Sequence, residues 1–283
     1  MGQSYSNIKD VYNEFNEIDS YFRDQDLGND LILNITDNII HKYCHYRNNS
    51  GNDKCNNYLE NASSGVIYVL ENLKKYNLEY DKLAEYAILW LRYKLNQSVG
   101  YNKTSLNYFY TNHIEKNTYY NNKIKGNGSP TYKEIIDKKK DLMNIEEMTK
   151  FSYPFKLLLL LYDKNNNKSG NCDHLDQAKN FAKEFEELIQ ISNKIGSSSY
   201  NKMLHILSDD YNNLKNKCTN FPPLPKIKTP LTTLIPALST FSVIPAFLGI
   251  AYKYSLFGVD KLFQRQYIRK KLKKVKKEMK LNI

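Results

Sequence analysis

The sequence lacks the patterns that would assign it to a common enzyme class. It contains no nucleophile elbow, phosphate loop, dinucleotide fingerprint or paired histidine and carboxylate arrangement, and its five histidines are scattered. It has no CxxC pair, which many zinc sites use. Strand-like alternation of useful length and internal repeats are absent as well, which excludes sheet-based and repeat architectures from the prediction. We therefore expect a non-catalytic protein without a cofactor or metal ion.

Glycine and proline are also scarce, at 11 and 8 of 283 residues, while Asn, Lys and Tyr are abundant. The abundant residues have AT-rich codons, so the composition is typical of an AT-rich genome. The hydrophobic fraction of 41% supports a folded core in a chain of this length. Segments of helical periodicity, separated by Asn-, Gly- and Ser-rich turns, run through most of the chain. The predicted fold class is therefore all-α, with a multi-helix globular domain.

Several helices can be placed along this domain. Two are predicted near the N-terminus, over residues 7–22 and 31–46. The five leucines of "FKLLLLLY" are too few to span a membrane and predict a central buried helix, and the serines of "SSSYNKM" cap the last predicted helix. Two further helices carry core-facing stripes at helical spacing, formed by Leu83, Tyr86, Ala87, Trp90, Leu91 and Leu95, and by Ala178, Phe181, Ala182, Phe185 and Leu188.

An uncharged stretch of 24 residues lies between Lys228 and Lys253. About 20 apolar residues cross a bilayer as a helix, so we predict one C-terminal transmembrane helix over residues 231–252. A Pro-rich neck at 221–230 would join it to a helical ectodomain at 1–220. A buried hairpin helix in a soluble core is the alternative interpretation of the stretch.

The basic residues after the predicted span place residues 253–283 in the cytoplasm and the ectodomain on the other side of the membrane. The N-terminal "MGQSYSNIKDVYNEF" has no apolar region of the signal-peptide type, so the route of translocation stays open. The same segment fits the myristoylation pattern at Gly2 and Ser6, which would conflict with an external N-terminus. A chance match is the competing interpretation of that pattern.

The net charge of +11 is concentrated at the C-terminus, where residues 253–283 carry +9. The body is nearly neutral, so we expect no nucleic-acid partner. The tail predicts a basic helix that lies on the anionic inner leaflet. The alternative is a basic flank that only sets the topology. The basic residues of this predicted membrane surface are Arg265, Arg269, Lys270, Lys271, Lys273, Lys274, Lys276 and Lys277.

All four cysteines precede the predicted span. An even number in an external domain suits two disulfides, and three pairings are open. We favour Cys44 with Cys55 and Cys172 with Cys218, because each pair would fasten a loop to its flanking helices. Free buried thiols are the alternative.

Two groups of residues resemble metal sites but fit a metal ion poorly. His41 and His45 share a helical face near Cys44 and Cys55, but a disulfide between these cysteines would compete with zinc. The loop after Asp163, with Asn165 and Asn167, resembles a calcium loop, yet it lacks the turn glycine and has His174 where a bidentate glutamate is needed.

The C-terminal part carries a family resemblance. The runs "SSSYNKMLHILSDDYNNLKNKC", "FPPLP" and "IPAFLGIAYKYSLFGVDKLFQRQYIRKKLKKVKKEMK" are similar to the Plasmodium interspersed repeat (PIR) proteins, a variant multigene family of malaria parasites. Supporting similarity lies in "LAEYAILWLRYKLNQ" and "MTKFSYPFKLLLLLY". The chain departs from the family pattern in having no cysteine before Cys44.

The resemblance implies a helical domain, a single span, a short intracellular tail and no enzymatic activity. It also implies a variant membrane antigen, exported to the infected host cell or placed at the parasite surface or vacuolar membrane. Such an antigen would act in immune evasion or host-receptor binding, with the lipid bilayer and an unknown host-cell protein as partners. The alternative function is an internal membrane-anchored adaptor or trafficking protein whose helical domain faces the cytosol.

Overall fold

The structure, a computed structural model, describes residues 8–26, 32–46, 54–163, 172–227 and 269. Within these residues it is mainly helical, which confirms the predicted helical character of the domain. Residues Met1–Lys228 form one compact unit. The helices are α1 (Ile8–Ser20), α2 (Asn38–His41), α3 (Tyr58–Leu73), α4 (Tyr80–Gln97), α5 (Leu106–Phe109), α6 (Tyr132–Asp137), α7 (Ser152–Tyr162), α8 (Leu175–Ile195) and α9 (Ser198–Lys215). Short 3-10 segments cover Lys74–Tyr76, Thr118–Asn121, Lys140–Asn144 and Glu146–Phe151, and a π-helical turn covers Tyr110–Ile114.

A small β-hairpin near the N-terminus corrects the all-α prediction. After α1 the chain forms two antiparallel strands, β1 (Phe22–Asp26) and β2 (Ile32–Thr36), with Phe22 opposite Thr36. The predicted helix over residues 31–46 is therefore wrong except for the short α2. Each strand has five residues, which is too short for periodicity alone to separate a strand from a helix.

Helix α4 is the centre of the domain and contacts α3, α6 and α7. Every residue from Leu83 to Leu95 is buried, which confirms the predicted core stripe and extends it around the whole helix. Charged residues are therefore enclosed on α4 together with the apolar ones, which an amphipathic pattern does not predict. These enclosed charges are Glu85, Arg92 and Lys94.

Two of the enclosed charges are neutralised by ions on neighbouring segments. Glu85 pairs with Lys139 at 2.8 Å, and Lys139 also reaches an Asp81 carboxylate oxygen at 3.0 Å. Lys94 pairs with Asp19 of α1 at 2.7 Å. A buried ion destabilises a fold unless an opposite charge and hydrogen bonds replace its hydration, and these contacts supply both.

A buried carboxylate joins four helices. Asp210 of α9 accepts hydrogen bonds from the hydroxyls of Tyr12 at 2.8 Å and Tyr86 at 3.0 Å, while the Tyr162 hydroxyl donates to the Asp210 backbone oxygen at 2.7 Å. These tyrosines belong to α1, α4 and α7. Burial raises the pKa of Asp210 to about 7, because an apolar interior disfavours the charged form. We call these four residues the Asp210 network.

The remaining predicted helices are present with shifted ends. Helix α7 buries four of the five leucines and leaves Leu160 38% exposed. Helix α8 buries the predicted stripe apart from Ala182, which is half-buried. Ser197 caps α9, since its side chain accepts a bond from the Tyr200 N–H.

The predicted membrane elements lie almost entirely outside the described residues. Within the described part of the chain, no helix is long and apolar enough to cross a bilayer. The predicted span over residues 231–252 is outside that part, and of the predicted basic tail only Arg269 is inside it, as an exposed helical residue. The described part of the neck begins with buried Phe221 and continues to Ile227 without regular secondary structure.

Candidate recognition cleft

The β-hairpin forms one wall of an open cleft whose other walls are the end of α4 and the start of α7. The cleft has a volume of about 450 Å³. Residues from α1, both strands, α3, α4 and α7 line it, so it exists only where these elements converge. Concave sites of this size, made by several elements, are the usual location of binding sites. We call it the hairpin cleft.

A buried cation forms the floor of the hairpin cleft. The Lys94 ammonium donates to Asp19 Oδ1 at 2.7 Å and to Gln97 Oε1 at 2.9 Å, and it lies 4.9 Å from the centre of the Phe22 ring. The Tyr93 hydroxyl donates to Asp19 Oδ2 at 3.1 Å. These contacts hold the floor in one arrangement, which is the preorganisation that a binding site needs.

The rim of the hairpin cleft is basic and partly apolar. Arg23 of β1 and Lys156 of α7 are exposed, and neither pairs with a carboxylate among the described residues. Ile35 of β2 is 38% exposed, and Tyr153 of α7 is 45% exposed. With Lys94 balanced by Asp19, the rim gives the cleft a positive charge that favours an acidic partner.

Hydrogen bonds hold the polar side chains Ser152 and Tyr93 of the cleft. Neither histidine nor cysteine occurs among its lining residues, and the Ser152 hydroxyl donates to the Arg92 backbone oxygen at 3.1 Å. Burial, together with the charge of Asp19, raises the pKa of the Tyr93 hydroxyl, so Tyr93 stays a neutral donor at physiological pH. A serine nucleophile needs an adjacent base, whereas the Ser152 hydroxyl donates to a backbone oxygen.

None of the residues of the hairpin cleft was predicted from the sequence. The one local signal is Lys94 itself, a lysine next to the apolar core stripe of α4. The partners of Lys94 come from α1 and β1, which are more than 65 residues away in the chain. Their position could not be inferred without the fold.

The four predicted cysteines form two pairs in the structure. Cys44 is joined to Cys55 with 5.3 Å between their Cα atoms, and Cys172 is joined to Cys218 with a separation of 5.4 Å. The first pair links the residues after α2 to the segment before α3, and the second links the segment before α8 to the end of α9.

The histidine and cysteine group near α2 does not fit a zinc ion while its sulfurs are joined. One ring nitrogen of His41 and the sulfurs of Cys44 and Cys55 lie within 4.8 Å of one another. However, His41 Nδ1 accepts a hydrogen bond from the Cys55 N–H at 3.1 Å, and disulfide sulfurs are not thiolate ligands. The other histidine of the sequence group, His45, packs its ring against Tyr119 instead.

The fold identifies the class of protein first. It is similar to a solved structure described as "Structure of a Plasmodium PIR protein ectodomain", with a TM-score of 0.57 and 33% sequence identity. The similarity covers 79% of this chain and 99% of that one. The described domain therefore has the fold of a parasite antigen ectodomain.

The family follows from the sequence profile described as "Plasmodium variant antigen protein Cir/Yir/Bir", which matches residues 12–253. The chain belongs to this variant antigen family, and the resemblance to the PIR proteins is confirmed. The match continues beyond the compact domain, through the stretch predicted to span the membrane. A comparison with curated proteins found no significant match.

Proposed function

We propose that this protein is a membrane-anchored variant antigen whose helical domain lies outside the parasite and takes part in host–parasite interaction without catalysis. The observation that carries the proposal is the family match over residues 12–253. This one sequence profile covers both the helical domain and the predicted span. The neck at 221–230, the span at 231–252 and the cytoplasmic tail at 253–283 complete the proposed architecture.

The cysteine pairs support an external position of the domain. Both pairs lie before the predicted span, and both have a Cα separation within the range that disulfides use. Disulfides persist in oxidising surroundings and are rare where glutathione keeps thiols reduced. An internal adaptor facing the cytosol would carry the same cysteines as thiols.

The hairpin cleft supports a recognition role. Its rim combines Arg23 and Lys156, which form no ion pair among the described residues, with the exposed apolar surfaces of Ile35 and Tyr153. Protein interfaces commonly place aromatic and arginine residues in this way, since they provide contact area and directional hydrogen bonds. We propose this rim as the contact surface for an acidic patch of a host-cell protein.

The basic tail supports the proposed orientation. Lys and Arg are enriched on the cytoplasmic side of membrane spans, and the tail holds most of the net charge of the chain. The same residues are attracted to the anionic lipids of an inner leaflet.

Protease protection on intact infected cells tests the proposal. The protein would carry an epitope at its N-terminus, and cells would be treated with protease before and after permeabilisation. We expect the epitope to be lost from intact cells, with the tail protected until the membrane is opened. An epitope that survives until permeabilisation would exclude an external domain and favour the internal adaptor.

A further inference from the structure

A second cavity, separate from the hairpin cleft, lies between the loop before α5 and the 3-10 segments before α7. Its volume is about 590 Å³, and it is lined by residues 102–107 on one side and by residues 143–146, 148 and 149 on the other. Arg92 of α4 also lines it. We call this space the Arg92 cavity.

The Arg92 guanidinium is enclosed, and no opposite charge of the described residues pairs with it. It is 2% exposed, and its terminal nitrogens donate to the backbone oxygens of Thr104 at 2.8 Å and Asn102 at 3.0 Å. Its Nε is buried and has no hydrogen-bond partner. Throughout the described part of the chain, no carboxylate forms an ion pair with Arg92. The carbonyl dipoles satisfy two donor groups but leave the positive charge uncompensated.

Arg92 differs in this respect from two other enclosed cations of the domain, which do have counter-ions. Lys94 has Asp19 as its counter-ion, and Lys139 has Glu85 and Asp81. Burial without a neighbouring negative charge lowers the pKa of Arg92 to about 10, which still leaves it charged at neutral pH. A charge that stays buried needs an ion to balance it, and the cavity beside Arg92 has room for one.

The other walls of the Arg92 cavity define what kind of anion fits. Lys103 is exposed at the cavity and forms no ion pair within the described residues, so it adds a second positive charge. Glu146 is the one acid among the lining residues, and it is exposed. Three buried apolar side chains, Leu106, Met143 and Met148, provide the rest of the inner surface.

We propose that the Arg92 cavity is a binding site for a small organic anion with a carboxylate or phosphate head and a short apolar body. The head would be placed toward Arg92 with Lys103 at the entrance, and the apolar body would cover Leu106, Met143 and Met148. The bound anion would balance the charge of Arg92 and fasten the loop at Asn102 and Thr104 to α4. This site goes beyond the proposed host contact, because it is built from a different cavity and takes a small ligand.

Thermal unfolding and titration calorimetry of the full-length chain in nanodiscs of zwitterionic lipid test the proposal. The probes are octanoate, octyl phosphate and inorganic phosphate, which separate the two head groups from the contribution of the apolar body. We expect saturable binding of at least one octyl probe to one site, and weaker binding of inorganic phosphate. At a probe concentration of 100 times Kd, the unfolding equilibrium constant should fall about 100-fold.

Two variants locate the binding. Arg92→Met removes the charge and should abolish the response to every probe. This change also removes the bonds to the loop and risks unfolding, so Thr149→Trp provides a second test. Thr149 is exposed on the cavity wall. The indole of a tryptophan there would fill the cavity while Arg92 keeps its carbonyl partners. Thr149→Trp should fold without the probe and lose the response. Arg23→Met, which removes a cation from the hairpin cleft, is the matched control and should respond like the native chain.

Three results would overturn the proposal. These are a native chain that binds none of the probes saturably, a folded Thr149→Trp variant that responds as the native chain does, and an Arg23→Met variant that loses the response. None of these results depends on host contact or on which side of the membrane the domain lies. They therefore test the anion site independently of the proposed function.

Discussion

The ring of Phe22 in the hairpin meets the ring of Trp90 in α4 edge to face, with 5.6 Å between the ring centres. Gly65 of α3 permits this contact, because a Cβ at that position would overlap the Trp90 ring and touch Phe22. The hairpin therefore packs on the core next to Gly65, where the absence of a side chain leaves room for the two rings. The shape of the hairpin cleft depends on this contact, since Phe22 also lines it.

Gly65→Ala should destabilise the domain, although alanine is the better helix former. The helix propensity gain is about 1 kcal/mol, whereas overpacking a core costs roughly 1–3 kcal/mol, and the new methyl group meets the rigid Trp90 ring. We expect a lower free energy of unfolding in urea. Trp90→Phe in the same chain makes room for the methyl group and should recover part of the loss. Additive effects of the two changes would contradict the proposed overlap.

Asp210→Asn should change how stability depends on pH. The pKa of Asp210 is about 7 in the folded domain and about 4 in an unfolded chain, so the folded state retains a proton that the unfolded state releases. The contribution of Asp210 to stability is therefore fully present below about pH 4 and falls as pH rises to about 7, by up to roughly 1 kcal/mol per pH unit. The Asp210→Asn variant should lack this contribution to the slope of the unfolding free energy against pH.

Urea unfolding of both proteins across that pH range measures the difference. The groups that face Asp210 are Tyr12 and Tyr86, with the charges of Lys82 and Asp209 nearby. Because these are unchanged in the variant, the difference between the two unfolding free energies isolates Asp210. A difference that is constant with pH would show that the carboxyl group does not titrate in this window.

The two disulfides should differ in their contribution to stability. Cys172 and Cys218 are 46 residues apart, whereas Cys44 and Cys55 are 11 apart. Closing the longer loop removes more entropy from the unfolded chain, and loss of the bond should cost roughly 4 kcal/mol, against roughly 3 kcal/mol for the shorter one. Paired serine variants and chemical unfolding measure both costs. Intact mass with and without reductant is the prior check, and an unchanged mass would show that the native cysteines are free.

Charge reversal at the rim of the hairpin cleft should weaken binding to host cells. Arg23→Glu with Lys156→Glu replaces the two rim cations by acids. We expect the affinity to fall by up to about tenfold, mainly through slower association. Both residues are exposed, so the melting temperature should stay unchanged. Lys202→Glu on α9, also exposed, is the control, and flow cytometry with the labelled protein is the measurement. Equal loss of binding in the control would assign the effect to net charge rather than to the cleft.

Neutralising the tail should reduce its attraction to anionic lipid. Each basic residue near a negatively charged membrane contributes about 1 kcal/mol, so replacing Lys270, Lys271, Lys273 and Lys274 by glutamine removes a large part of this energy. We expect the tail of the reconstituted full-length chain to be more accessible to protease beside anionic lipid than in the native chain. With zwitterionic lipid the two proteins should behave alike. Identical accessibility in anionic lipid would leave the tail as a flank that only sets topology.

The local patterns of the sequence were enough for the long helices. The apolar stripes of α4 and α8 repeat every three or four residues, and the serine cap of α9 lies at the start of that helix. Both patterns can therefore be recognised without the rest of the chain. The hairpin was missed for the opposite reason. Its short strands are stabilised by each other and by the Phe22 contact with Trp90, which lies 68 residues further along the chain.

The sequence by itself determined the family, the helical character of the domain, and the concentration of basic charge at the C-terminus, because motifs, periodicity and composition are properties of the chain order. Tertiary structure alone decided which charges are enclosed and what they meet. It pairs Lys94 with Asp19 and buries Asp210 among three tyrosines. It also leaves Arg92 beside a cavity with no counter-ion from the part of the chain that the structure describes. These are contacts between residues distant in sequence, and the energy of a buried charge depends on what surrounds it after folding.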